Sequence, residues 1–183
     1  MSGSATTPDA ATARQRLFRN ASILAFVIAV VDQATKYWLI EVMYSVGRQI
    51  EVTGFFNLVM VWNRGISFGL FQSGDTGRWV LSLLAAAVSI GLVIWLRRID
   101  RKLTGYGIGA VLGGAVGNLI DRVSPRGAVA DFFDFHVMGY HWPAFNIADV
   151  AITIGVGLIL VDSFIDDGGQ KADSSDRKQE TKD

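Results

Sequence analysis

The 183-residue sequence contains no cysteine, which excludes thiol catalysis, cysteine-ligated metal sites and disulfides at once and leaves the redox compartment open. Histidine occurs only twice, as His136 and His141. No third ligand is implied beside them, so neither a metal nor any other cofactor is expected. Net charge is also missing: 17 Lys and Arg balance 17 Asp and Glu, and nothing points to nucleic acid. Charged residues make up only 19% of the chain against 50% hydrophobic, and mean hydropathy is +0.33. The length fits one domain, but the apolar residues are too concentrated for an ordinary soluble core.

They gather in four segments. The first, 21–40, reads "ASILAFVIAVVDQATKYWLI" and is interrupted by Asp32 and Lys36. The second, 79–96, holds no charge; the third, 103–120, is rich in glycine; the fourth begins near Ile147. As a helix each is about 27–30 Å long, one hydrocarbon core. A soluble bundle would show polar stripes at helical period, and the second segment shows none. Arg14, Arg16 and Arg19 precede the first segment, Arg97, Arg98, Arg101 and Lys102 crowd the link between the second and third, and Lys171, Arg177, Lys178 and Lys182 lie in the tail. The positive-inside rule then predicts four crossings with both termini in the cytoplasm. The first segment is long, lacks an A-x-A site and is followed by further spans, so it reads as an uncleaved span. The layout expected is a cytoplasmic tail at 1–20, a membrane domain at 21–165 and a second cytoplasmic tail at 166–183. Residues 1–13 and 166–183 are polar or small and read as disordered.

This topology places the loops 41–78 and 122–146 on the outer face. "VGRQIEV" and "FFNLVMVW" read as short strands of a small sheet on the membrane surface. "NRGISFGLF" reads as a turn followed by an interfacial helix or flap. In the third segment Gly105, Gly109, Gly113 and Gly117 recur every four residues, the spacing of close helix packing. Gly117, beside Asn118 near the outer end, is also placed for close approach of a substrate backbone.

Asp149 lies at the start of the fourth segment, where a carboxylate near lipid is costly without a partner. Two carboxylates close enough to share a proton support aspartic proteolysis: one takes a proton from water and the other donates to the scissile carbonyl. Asp131 and Asp149 could meet if the second outer loop folds back on the fourth segment. From the residues alone, both serve equally well as helix caps or as partners of Arg122 and Arg126.

The blocks "VDQATKYW", "VWNRGISFGLF", "GGAVGNLIDR", "GAVADFF" and "FNIADVAI" together resemble the successive motifs of the lipoprotein signal peptidase (signal peptidase II) family, in order, over residues 31–152. The resemblance implies an α-helical integral membrane protein with four transmembrane helices and a small extracytoplasmic β-sheet. It implies an aspartyl endopeptidase of the bacterial inner membrane that cuts diacylglyceryl-modified prolipoproteins before the lipidated cysteine. Membrane lipid and those prolipoproteins are the partners implied, and the oligomeric state stays open. By motif, the catalytic pair is Asp131 and Asp149. Asn63, Asn118, Asn146, Asp121, Arg122 and Gly117 are the supporting or substrate-binding residues, and Asp32 and Lys36 form a structural ion pair four residues apart. "DFFDFH" adds a competing carboxylate, Asp134.

Two other classes fit parts of the pattern. Lys36 could activate Ser67 in a Ser–Lys hydrolase. An intramembrane Asp and Lys also suit a transporter or scaffold, although no alternating-access repeat is visible.

Overall fold

The computed structural model describes residues 8–47, 49–65 and 74–180. Four helices, α1 (Pro8–Val46), α2 (Gly74–Leu96), α3 (Lys102–Val123) and α4 (Ile147–Glu180), are each long and apolar enough to cross a membrane. Strands β1 (Gln49–Thr53) and β2 (Phe56–Asn63) follow α1, and β3 (Val129–Val137) and β4 (Tyr140–His141) lie between α3 and α4. The segment read as a flap, with Ser67, lies outside the described residues.

Helix replaces the disorder expected over 8–13 and 166–180. Proline suits a first helical turn, Ala10, Ala11 and Ala13 are strong helix formers, and Asp9 stands where the helix dipole favours an anion. At the other end, extending an existing helix needs no new nucleus.

α3 is the axis of the bundle, packing on α1, α2 and α4, while α2 packs chiefly on α3. Two glycine rows allow this. Toward α1, a Cβ on Gly109 or Gly113 would lie 2.6 Å from the carbonyl oxygen of Ala21 or Ala25. Toward α4, a Cβ on Gly107 would lie 2.7 Å from Gly155 O, and one on Gly155 would lie 2.6 Å from Gly107 O. The helices touch backbone to backbone, which only the absence of a side chain permits. Below them Ala21, Leu96 and Ile108 are fully enclosed.

The end of α3 away from the sheet is capped by another helix. Its N-cap residue, Arg101, makes no side-chain cap bond. Asp162 of α4 accepts instead from the Thr104 backbone N–H at 3.2 Å and from the Thr104 hydroxyl, and Arg101 Nε lies 3.0 Å from the same carboxylate.

The strands form one antiparallel sheet in the order β1-β2-β3-β4. β1 and β2 occupy the two stretches read as strands; β3 and β4 arise in what read only as loop. Phenylalanine on both faces of "DFFDFH" hides the alternation that normally marks a strand. Between Leu58 and Val61 the β2–β3 register slips by one residue, a bulge in β2. Met138 and Gly139 both have positive φ, 51° and 82°, closing the β3–β4 hairpin with a tight two-residue turn. Ala130 and Phe132 pack on Leu39 and Ile40, seating the sheet on the end of α1.

The glycine contacts carry a direct expectation. Gly107→Ala forces two backbones apart and should cost about 1–3 kcal/mol. Gly91 in α2 has nothing within 4 Å of its missing Cβ, so Gly91→Ala should instead gain about 0.5–1 kcal/mol. Thermal unfolding of both variants in detergent checks the two opposite signs.

Candidate active site

At the sheet end of the bundle, α1, α3, β2, β3 and the start of α4 converge on one polar cluster. Its floor is a buried ammonium. Lys36 Nζ lies 2.8 Å from Asp32 Oδ2, 2.9 Å from Asp121 Oδ2 and 3.0 Å from Asn118 Oδ1. Three protons meet three acceptors, the condition for keeping a charge in a low-dielectric interior.

The acceptors then reach outward. Asp32 Oδ1 accepts the Ala148 backbone N–H at 3.0 Å, in the first turn of α4, where orphan amides and the helix dipole favour an anion. Asp121 Oδ2 accepts the Ala130 N–H at 3.2 Å, fixing the strand one residue before Asp131. Gln33 Nε2 lies within bonding distance of Asp121 Oδ1 (3.0 Å), Gly117 O (3.0 Å) and Asp32 Oδ2 (3.2 Å). Sequence reasoning passed over Gln33, although a polar side chain inside an apolar run is itself a signal. Gly117 is brought to α1 rather than to the carboxylate pair: a Cβ there would stand 2.5 Å from Asp32 Oδ2.

Above this floor Asp131 and Asp149 are joined by Asn146. The Asn146 side-chain amide donates to Asp131 Oδ1 at 2.7 Å, and its backbone N–H donates to Asp149 Oδ2 at 3.2 Å. In return the Asp149 N–H donates to Asn146 Oδ1 at 3.1 Å. This reciprocal pair is a capping box at the start of α4, with Asn146 as N-cap and Asp149 three residues on. The second oxygen of each carboxylate is held as well. Asn63 Nδ2 donates to Asp131 Oδ2 at 3.1 Å, and Asn118 Nδ2 donates to Asp149 Oδ1 at 2.8 Å. Because Lys36 binds Asn118 Oδ1, the Asn118 amide is turned with its nitrogen toward Asp149.

The two carboxyls sit in unlike surroundings. Asp131 is 2% exposed and Asp149 half-buried. Burial first, and then the charge of Asp149, pushes the Asp131 carboxyl up to about 6, against the hydrogen bonds from Asn63 and Asn146 and the charge of Lys36. Arg122 is half-buried, faces the charges of Asp149, Asp131 and Asp121, and donates to Asn118 O at 3.4 Å. A carboxyl that holds its proton near pH 6, next to a second, more open carboxylate, is equipped to give one proton while its neighbour accepts another.

Asp134 is engaged elsewhere. It lies three residues from Asp131 on a regular strand and so points to the other face. There its carboxylate accepts from Asn57 Nδ2 at 3.0 Å and lies 2.9 Å from His141 Nδ1. Burial alone would raise this carboxyl, but the bonds from His141 and Asn57 prevail and hold it below the usual range. His136 stacks on His141 with ring centroids 4.9 Å apart.

Comparison with known proteins adds to this geometry. A family model described as signal peptidase (SPase) II matches residues 24–165. A lipoprotein signal peptidase of Rhodopseudomonas palustris (strain TIE-1) is 46% identical over 151 residues, covering 78% of this chain and 91% of that protein. One of Nitrobacter hamburgensis is 42% identical over 161 residues, covering 84% and 97%. Among solved structures, a bacterial membrane enzyme determined by the in meso method at 2.3 Å resolution superposes with a TM-score of 0.69 at 30% identity, over 83% of this chain and 91% of that one. Another, at 1.9 Å resolution, gives 0.63 at 31% identity, over 78% and 90%.

The raised Asp131 carboxyl has a thermodynamic signature. A folded-state value of about 6 lies above the unfolded one, so the group's contribution to stability is full below the unfolded value and is lost as pH rises through the folded one. Wild type should therefore lose about 2 kcal/mol relative to Asp131→Asn between pH 4 and pH 7. Thermal midpoints of both proteins across that range measure the difference; parallel pH curves would exclude a protonated Asp131.

Proposed function

The chain belongs to the signal peptidase II family, and from that premise we propose that Asp131 and Asp149 are its catalytic dyad. The protein is a membrane aspartic peptidase that removes signal peptides from prolipoproteins. The observation that carries the dyad reading is Asn146, which binds one carboxyl through its side chain and the other through its backbone N–H.

In the reaction, the Asp149 carboxylate takes a proton from water, and the water oxygen bonds to the scissile carbonyl carbon. Protonated Asp131 gives its proton to the carbonyl oxygen, forming a neutral tetrahedral diol. Asp149 then returns its proton to the amide nitrogen as the C–N bond breaks, and one diol hydroxyl gives its proton to Asp131. The products are a carboxylic acid and an amine, and both side chains regain their starting states. Asn63 and Asn118 orient the two carboxyls, and Arg122 steadies the charge of the pair. The scissile bond is the one preceding the diacylglyceryl cysteine. The site opens on the extracytoplasmic face, with both termini in the cytoplasm, as the crowding of basic residues at 97–102 and in both tails favours.

A cleavage assay with a synthetic prolipoprotein, lipidated and unlipidated, tests the chemistry. Asp131→Asn and Asp149→Asn are each expected to lose about 10²–10⁴-fold or more in rate while remaining folded. Asp134→Asn and Ser67→Ala should stay active, and the unlipidated precursor should be cut poorly. Full activity in either dyad variant sinks the assignment; loss of activity in Ser67→Ala alone would favour a Ser–Lys enzyme.

Orientation has a separate test. A cysteine replacing Thr53, exposed in β1, should react with an impermeant thiol reagent in intact cells, and one replacing Ala11 should not. The reverse pattern would move the site to the cytoplasmic face.

A further inference from the structure

α1 and α2 both lean on α3 but leave a gap between them. A cavity of about 530 Å³ fills that gap, lined by Ala25, Ala29, Ser89, Val93 and Ile94 and ending at Arg97. A second, of about 670 Å³, continues it toward the sheet and shares Phe26, Ala29 and Val116 with it. The first lies on the flank of α3 away from the carboxylate pair, and the second reaches Gln33 and Lys36 on the α1 side of the polar cluster. At 100° per residue, Val116 points about 200° from Asn118.

We propose that this groove seats an anionic phospholipid, with its phosphate at Arg97 and an acyl chain along the α1–α2 gap. Three observations favour that occupant. Between α1 and α2 the walls are apolar or small, and the hydroxyl of Ser89 is already bonded to its own helix at Ala85 O, 2.8 Å away, so this part of the groove, where the acyl chain lies, asks for no polar partner; the polar side chains of Gln33, Lys36 and Arg126 line only the second cavity. The helices that form it are long and apolar enough to span a bilayer, so lipid chains are the solvent that reaches it. At its mouth the Arg97 guanidinium lies 5.7 Å over the Phe18 ring of α1 and, among the described residues, pairs with no carboxylate. The nearby Asp162 is taken up by Arg101 and Thr104. Exposed Arg98, Lys102 and Arg19 add positive charge at the same end. A bound lipid would tie α2 to α1, which the protein contacts alone do little to achieve.

The test uses the full-length protein, delipidated in mild detergent and titrated with phosphatidylglycerol, with phosphatidylcholine of the same chains, or with inorganic phosphate. Thermal midpoints and native mass spectrometry read the result. Phosphatidylglycerol should be retained about fivefold better than phosphatidylcholine, the preference one Arg gives beside an anionic headgroup. That preference should disappear in Arg97→Gln and persist in Arg97→Lys. Ser89→Phe, which fills the groove, should weaken retention of both lipids. Equal retention of the two lipids by wild type, a preference that survives Arg97→Gln, or equal stabilisation by phosphate alone would overturn the proposal. Should Arg97→Gln fail to fold, the wild-type preference and the Ser89→Phe result decide it.

Discussion

The sheet end of this molecule depends on one buried ammonium and its three acceptors. Removing an ion from water costs several kcal/mol even after relaxation, and Lys36 is tolerated because Asp32, Asp121 and Asn118 surround it. Each acceptor has a second commitment. Asp32 holds the first turn of α4, Asp121 holds the start of β3, and Asn118 holds Asp149. A single cation on α1 thereby sets the position of two elements that lie far from it in sequence, β3 and α4, and those elements carry Asp131 and Asp149.

With Asp131 and Asp149 as the proposed dyad, the start of α4 combines a structural and a chemical task in the same atoms. Asn146 and Asp149 satisfy each other's backbone amides as any capping pair does, which gives this helix a defined first residue inside a crowded interface. The side-chain amide of Asn146 remains free to bind Asp131. The alternative roles open to these aspartates from the residues alone, helix cap or paired carboxylate, thus coexist at Asp149. The half-buried carboxylate is immobilised by the cap, and the buried one is raised by its surroundings. The asymmetry that acid–base work requires follows from where each sits along the chain.

Much of the fold was legible because hydropathy and glycine spacing report directly on lipid contact and helix packing. The four spans, and the strands at "VGRQIEV" and "FFNLVMVW", follow from those patterns. β3 was not legible, since Phe132, Phe133 and Phe135 leave no alternation to read. The helical extensions at both ends were missed because polar composition reports solvation, whereas a helix already nucleated continues through residues that could not start one. In the polar cluster, the i,i+4 spacing of Asp32 and Lys36 was readable as an ion pair. The joining of that pair to Asp121, Gln33 and Ala148 was not, because it spans more than 80 residues and depends on how three helices dock.

The bulge in β2 has a consequence of parity. Asn57 and Asn63 are six residues apart, an even interval, so on an uninterrupted strand they would point to the same face. Their partners Asp134 and Asp131 are three apart, an odd interval, and point to opposite faces. The one extra residue between Leu58 and Val61 shifts the phase of β2 by half a pleat and reconciles the two counts. Asn57 can then serve Asp134 on one face while Asn63 serves Asp131 on the other. Without that inserted residue, the strand could supply an amide to one carboxylate or the other, but not to both.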